Sequence, residues 1–321
     1  MKKIVLCCIC CAISICCFCW GFYGHQRINY YAVFLLPPEM MVLYKPNIQF
    51  ITDHAVDPDK RRYAVAAEAP KHFIDIDFYG SYPYRQLPRK YDEAVEKYTE
   101  DTVIARGIVP WWIQIMEQRL TSAFKEKNRA KILKLSAEIG HYIADSHVPL
   151  HASSNHDGQL SNQKGIHGFW ESRIPELLAE KEFDFMIGKA TYIDNIPNYV
   201  WQRVLESSAA SDTVLKDEAV LTKQFPVDKK YAFEERNGKM LRQYSSQFTI
   251  AYNKMLNGMI ERRMRLSISS VASFWYTAWV NAGQPDLKTL QNVAFTEEDL
   301  KEFETLNDAW KNSVLKGREH E

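Results

Sequence analysis

Beyond residue 19 the sequence has no cysteine: all seven (Cys7, Cys8, Cys10, Cys11, Cys16, Cys17 and Cys19) crowd the first nineteen residues. Disulfides are therefore excluded as the support of the rest of the chain, which must be held by packing. Net charge is also missing, since 40 basic residues face 40 acidic ones. A module that grips nucleic acid by charge alone would be basic, so that class is excluded, whereas an enzyme that recruits cations is not. Internal repeats and low-complexity linkers are absent, and alternating β-branched runs bounded by turns are scarce. Hydrophobic residues at 46% and aromatics at 13% describe a folded chain rather than a disordered one.

What is present begins with Met1-Lys2-Lys3 and the apolar run Ile4 to Phe18. A charged start and a core too short to span a bilayer have the form of a secretory signal. Cleavage after Cys19 divides the chain into a signal peptide, 1–19, and an exported domain, 20–321, that begins at Trp20 and carries 38 basic against 40 acidic residues. Lipidation of one of the cysteines is the alternative. It is the weaker one, because Cys16 follows Ile15 and Cys19 follows Phe18 rather than small residues.

Helical periodicity dominates the remainder. Helices are expected over Arg89 to Tyr98, Thr102 to Lys127 and Lys131 to Asp145, the last ending before Pro149, with a further helical stretch from Gly238 to Asn281. Pro37-Pro38, Asp57-Pro58, Tyr79 to Pro88 and Ser153 to Gly165 read as loops, the last long enough to be functional. The expected architecture is all-α, a single multi-helix domain.

Chemistry concentrates in the histidines. His141 and Asp145 lie four apart on one helix face, His151 follows six residues later, and His167 and Glu171 repeat the four-residue spacing. One such pair is an ordinary surface or capping pair; two of them flanking a loop, with a histidine between, suit a borderline metal such as zinc. Upstream, Trp20-Gly21-Phe22-Tyr23-Gly24-His25 places an imidazole five residues after the expected N-terminus, and Asp53 and His72 add a carboxylate and another ring.

The start Trp20-Gly-x-x-Gly-His25, the segment His141-Tyr-Ile-Ala-Asp145-Ser-His-Val-Pro-Leu-His151 and the later His167-x-x-x-Glu171 together resemble the zinc-dependent phospholipase C and S1/P1 nuclease superfamily, over about half of the chain. The resemblance implies an all-helical fold with up to three zinc ions. Asp53, His72, His141 and Asp145 would hold the first, and His151, His167 and Glu171 the second. The amine and carbonyl of Trp20 with His25 would hold the third, bridged to the first by Asp145. Asp53 would serve as zinc ligand and as catalytic proton acceptor for an attacking water shared by the first two ions, with Asp57 as the alternative in the same loop.

The same cage serves phospholipids and nucleic acids within that superfamily, and fold does not choose between them. The short Trp20-to-His25 spacing points to a nuclease or 3′-nucleotidase; Phe73, more ordinarily a core residue, would there serve as a base-stacking surface. Glu171 and the short loop from His151 to His167 point to a phospholipase C-like phosphodiesterase. An aromatic rim of Phe22-Tyr23, Phe78-Tyr79 and Tyr82-Pro83-Tyr84 would then give peripheral membrane contact. The phospholipase reading is preferred, for a monomer acting outside the cytoplasm. A helical protein merely stapled by zinc is the non-enzymatic alternative. His147, His54, His156, Asp75 and Asp77 are kept as lesser candidates: His147 as a support behind the metal ligands or, preferably, an exposed residue of the last helical turn, His54 and His156 as loop residues near the mouth that touch substrate or nothing, and the two aspartates as orienters of ligand imidazoles or as ordinary strand-edge or capping polar groups.

Overall fold

The computed structural model describes residues 21–236, 239–291 and 293–312. Trp20 and the expected signal peptide lie outside the described residues. The chain is mostly helical, with one two-stranded sheet, and one apolar cluster extends from Ile28 to Leu290.

The centre of the molecule is the helix Arg129–Ser146. Asn128 caps its N-terminus by accepting from the Lys131 amide, a contact worth about 1 kcal/mol. From Ser136 to Ser146 every residue is buried, as expected of a helix enclosed on all sides. The helix Val109–Lys125 runs back along it, joined through a tight turn at Lys127; the helix Met259–Asn281 packs against both, and Gly21–Val33 packs against the central helix and Met259–Asn281. Tyr44 Oη and Ser136 Oγ are 2.8 Å apart, and the Trp275 indole donates to the Ser136 carbonyl, so two of the largest buried side chains close on one residue.

The first helix is keyed to the central one through a single gap. Asn29 Nδ2 donates to the carbonyls of Ile51 and Ala137. Its amide fills the space beside Gly140, where a Cβ would meet Asn29 Oδ1 at 2.1 Å. That close approach brings the next residue, His141, face to face with His25, ring centroids 3.7 Å apart.

Two expected helices are divided. The stretch Thr102 to Lys127 breaks into Glu100–Ala105 and Val109–Lys125. Gly107 turns the chain at φ 88°, and a Cβ there would strike the Phe73 carbonyl oxygen at 2.2 Å. The stretch Gly238 to Asn281 also divides. Its start is the strand Lys239–Tyr244, paired antiparallel with Tyr231–Arg236, and the helices Ser246–Met255 and Met259–Asn281 are separated by positive φ at Asn257 and Gly258. Among the described residues no helix is long and apolar enough to cross a membrane.

Candidate metal centre

Eight ionisable side chains, two of them (His141 and Asp145) from the central helix and the rest from other elements, meet in the interior: His25, Asp59, His72, His141, Asp145, His151, His167 and Glu171, none more than 5% exposed. They form three groups able to hold a metal ion: His25 with His141 and Asp145, Asp59 with His72 and His141, and His151 with His167 and Glu171.

The backbone decides which nitrogen each ring presents. A carbonyl oxygen can only accept, so a ring nitrogen beside one must carry the proton. Nδ1–H of His141 donates to Ala55 O (2.9 Å), that of His151 to His72 O (2.6 Å) and that of His167 to His156 O (3.0 Å). All three rings therefore turn Nε2 inward. His151 Nε2 and His167 Nε2 stand 3.0 Å apart, with Glu171 Oε2 at 3.4 and 3.0 Å respectively. With both rings neutral, three acceptors converge with no proton among them, an arrangement that a cation relieves. Donor atoms around a zinc ion lie roughly 3.3 Å from one another when each bond is about 2 Å.

The other side of the centre is built in the same way. His72 Nδ1 lies 3.0 Å from both His141 Nε2 and Asp145 Oδ2, and Asp59 Oδ1 stands 3.6 Å from His141 and 3.8 Å from His72. Neither Asp59 oxygen makes a hydrogen bond among the described residues, nor does Asp145 Oδ1, although buried carboxylates ordinarily collect donors. Asp145 is divided between neighbours: Oδ2 faces His72 and His141, whereas Oδ1 faces His25 Nε2 at 3.4 Å and His151 Nδ1 at 3.7 Å.

Burial sets the electrostatics. It pushes the Asp59 carboxyl up to about 7 despite the opposing charges of His141 and Arg62, and it raises Asp145 well above the carboxylate range. It also lowers His72, helped by the neighbouring His141, and lowers His141 against the pull of Asp59. The rings are thus held in the neutral form that binds metals, while two buried carboxylates carry a desolvation cost that a divalent ion would offset. The donor set, neutral imidazoles with carboxylates around orphaned oxygens, fits zinc.

Seven of the expected residues, His25, His72, His141, Asp145, His151, His167 and Glu171, are brought together. Asp53 is not: it is exposed at the end of the helix Ile48–Asp53 and accepts from Gln49 Nε2 on the outer face. Its fallback Asp57 is also committed elsewhere, to His54 and Lys60. The inward carboxylate is Asp59, which the short helix Asp57–Arg61 turns toward His72.

Around the centre, other candidates resolve as supports. His147 is fully buried rather than exposed, and its Nε2 pairs with Ser270 Oγ at 2.9 Å. Asp77 accepts from the Ser154 amide and hydroxyl, holding the start of the loop after His151 rather than orienting a ring. Asp75 is buried, with Arg106 Nη1 3.8 Å away. Asp157, which the sequence did not single out, accepts from the amides of Gly165 and His167 and so sets the approach of the His167 ring. Glu171 sits on a π-helical turn, Phe169–Arg173, that follows the short helix Ile166–Gly168; such wide turns recur at functional sites. A cavity of about 510 Å³ lies elsewhere, lined by Asp57 and Arg61 and by Phe303 and Leu306 of the helix Glu297–Asn312, and by none of the eight residues. Compared with known proteins, the chain matches no family model, and no curated protein matches it significantly.

Proposed function

We propose that this chain is an exported zinc-dependent hydrolase of phosphodiesters with phospholipase C-like activity. The observation that carries the reading is the convergence of inward-facing histidine nitrogens with three buried carboxylates, Asp59, Asp145 and Glu171, in adjoining groups. Asp59, His72, His141 and Asp145 would hold one ion, and His151, His167 and Glu171 a second. His25, with the backbone of Trp20, would hold a third beside Asp145. Zinc bound there supplies positive charge against phosphoryl oxygens and acidifies water at neutral pH.

The chain's own residues support catalysis over a structural staple. His151, His167 and Glu171 are three side-chain donors, whereas a closed structural zinc site uses four. Asp59 takes over the role expected of Asp53, as a buried carboxylate able to hold a proton beside the reacting water. The guanidinium of Arg62, 3.9 Å from Asp59 Oδ1, adds fixed positive charge on that side.

Between substrates, Phe73 is only 6% exposed and offers no stacking face for a base, whereas Phe78 at 45% and Tyr82 at 59% are open to an interface. Tyr79 and Tyr84 are buried, so the rim is narrower than the full set of aromatics. The test is hydrolysis of phosphatidylcholine, single-stranded DNA, RNA and 3′-mononucleotides side by side, before and after chelation. Chelator-sensitive cleavage of the lipid is expected. Cleavage of nucleic acid alone would assign the centre to a nuclease, and metal content without any hydrolysis would leave a zinc-stapled protein.

A further inference from the structure

The helix Glu297–Asn312 differs from the other long helices in having no buried residue. An isolated helix of 16 residues is marginal in water, so this one depends on the face it lays against the body. That face is a stripe of Phe303, Leu306 and Trp310, half-buried and at helical spacing. The ring of Phe303 lies 5.4 Å from that of Phe50 and 4.6 Å from that of His54, and the ring of Trp310 lies 5.3 Å from that of Phe22 and 5.7 Å from Lys60 Nζ. Lys134 of the central helix adds an ion pair with Glu302. Between these points the seat is incomplete: the cavity of about 510 Å³ separates Leu306 and Ala309 from Arg61, Ala64 and Val65.

What lies beneath is the segment that carries Asp59. The short helix Asp57–Arg61 packs against the central helix and against the helix Glu297–Asn312. On one side it presents Asp59 to His72 and His141. On the other, Lys60 meets Trp310, and His54, which pairs with Asp57, meets Phe303. A helix of five residues has too few internal hydrogen bonds to hold its own direction, so the phase that turns Asp59 inward is imposed by what packs on either side. The His151 group is held by other parts of the fold, the His72 carbonyl, Asp157 and the π-helical turn.

We propose that the helix Glu297–Asn312 is a detachable strap whose docking holds the Asp59-bearing segment in place, so that the ion beside Asp59 is retained while the strap is seated and lost more readily when it lifts. The ion in this statement rests on the proposed metal centre; the hold on residues 48–62 does not. A helix fastened by one stripe of rings across an unfilled cavity opens at a fraction of the free energy of global unfolding, so the strap can lift while the central helix stays folded. Phe303 and Trp310 are its positioning residues, acting through Phe50, His54 and Lys60.

The experiment is hydrogen exchange read by mass spectrometry on the full mature chain without metal, paired with competition of Zn²⁺ against a chelator. It compares the native protein with Phe303→Ala/Trp310→Ala and with the conservative Phe303→Leu/Trp310→Phe. In the native protein the amides of residues 297–312 should exchange faster than those of 129–146. In the alanine pair, residues 48–62 should lose protection together with 297–312 while 129–146 keep theirs. The ion of the Asp59 group should then bind roughly 10-fold more weakly, with the ion of the His151 group unmoved, and the conservative pair should restore both readings. Unchanged exchange over 48–62 in the alanine pair, equal weakening of both ions, or a native strap that exchanges as slowly as the central helix would overturn the proposal. A protein that takes up no Zn²⁺ overturns the metal centre itself, and exchange over 48–62 still decides whether the strap holds that segment. Should the alanine pair fail to fold, Phe303→Ala alone carries the same decision.

Discussion

His151 and His167 face each other through their Nε2 atoms at 3.0 Å, each ring fixed by an Nδ1–H bond to a carbonyl oxygen. Two such Nε2 lone pairs would repel, and Glu171 places a carboxylate oxygen on the same point. The fold holds this arrangement with Asp157, with the π-helical turn, and with the carbonyls of His72 and His156. A cation seated between them would turn that repulsion into attraction.

Elemental analysis of the mature protein should find at least two divalent ions per chain. Stripping them with a chelator should abolish hydrolysis of bis(p-nitrophenyl) phosphate and lower the melting temperature. One metal ion at 100 times its dissociation constant stabilises by about 2.7 kcal/mol, or roughly 4 °C for a chain of this size. A metal-free protein whose melting is indifferent to chelator would remove the basis of the centre.

Asp59→Asn and Asp53→Asn should separate sharply. The buried Asp59 should prove essential, its amide variant losing one ion and on the order of 100-fold or more in activity. Asp53 is exposed, so its variant should stay within about 0.5 kcal/mol in stability and about twofold in rate. Equal losses in the two variants would reject the assignment.

Gly140→Ala should destabilise the fold by about 2–4 kcal/mol in thermal or urea unfolding, because the new methyl displaces the Asn29 amide from the two carbonyls it serves. It should also disturb the stacking of His25 on His141, read as weakened metal retention.

Asp157→Asn replaces with an NH2 donor one of the two carboxylate oxygens that accept separately from the Gly165 and His167 amides, so one of these bonds is lost. Metal at the His151 group should weaken by roughly 10- to 100-fold while the Asp59 group keeps its ion. Parallel weakening of both groups in competition titrations would show that Asp157 supports the fold as a whole.

An extra residue ahead of Trp20 should lower zinc content and activity if the free amine is a ligand. Unchanged values would remove Trp20 from the centre and leave His25 with His141 and Asp145 there.

Much of this centre was legible because helical spacing is local. His141 with Asp145 and His167 with Glu171 are neighbours by pitch alone, whatever the rest of the chain does. Asp59 was not legible, because its direction depends on an irregular path. Between the helices Ile48–Asp53 and Asp57–Arg61 the turn His54–Val56 has a tighter winding, which changes the phase so that Asp53 faces water and Asp59, six residues on, faces inward. The strand pair was overlooked despite its signal: Asn237-Gly238 is a strong hairpin dipeptide, flanked by alternating residues in Tyr231 to Arg236 and Lys239 to Tyr244. Burial of His147 depended on a distant partner, Ser270, and no local pattern announces it, whereas Phe73 takes the core position that is the ordinary reading of a phenylalanine.

The divided carboxylate of Asp145 makes one torsion angle the common property of two neighbourhoods. An ion settling beside His72 and His141 would fix the orientation that His25 and His151 then meet, and the reverse holds equally. Ions would therefore enter as a correlated ensemble, and a loading curve would carry the signature of communication between sites rather than of independent filling.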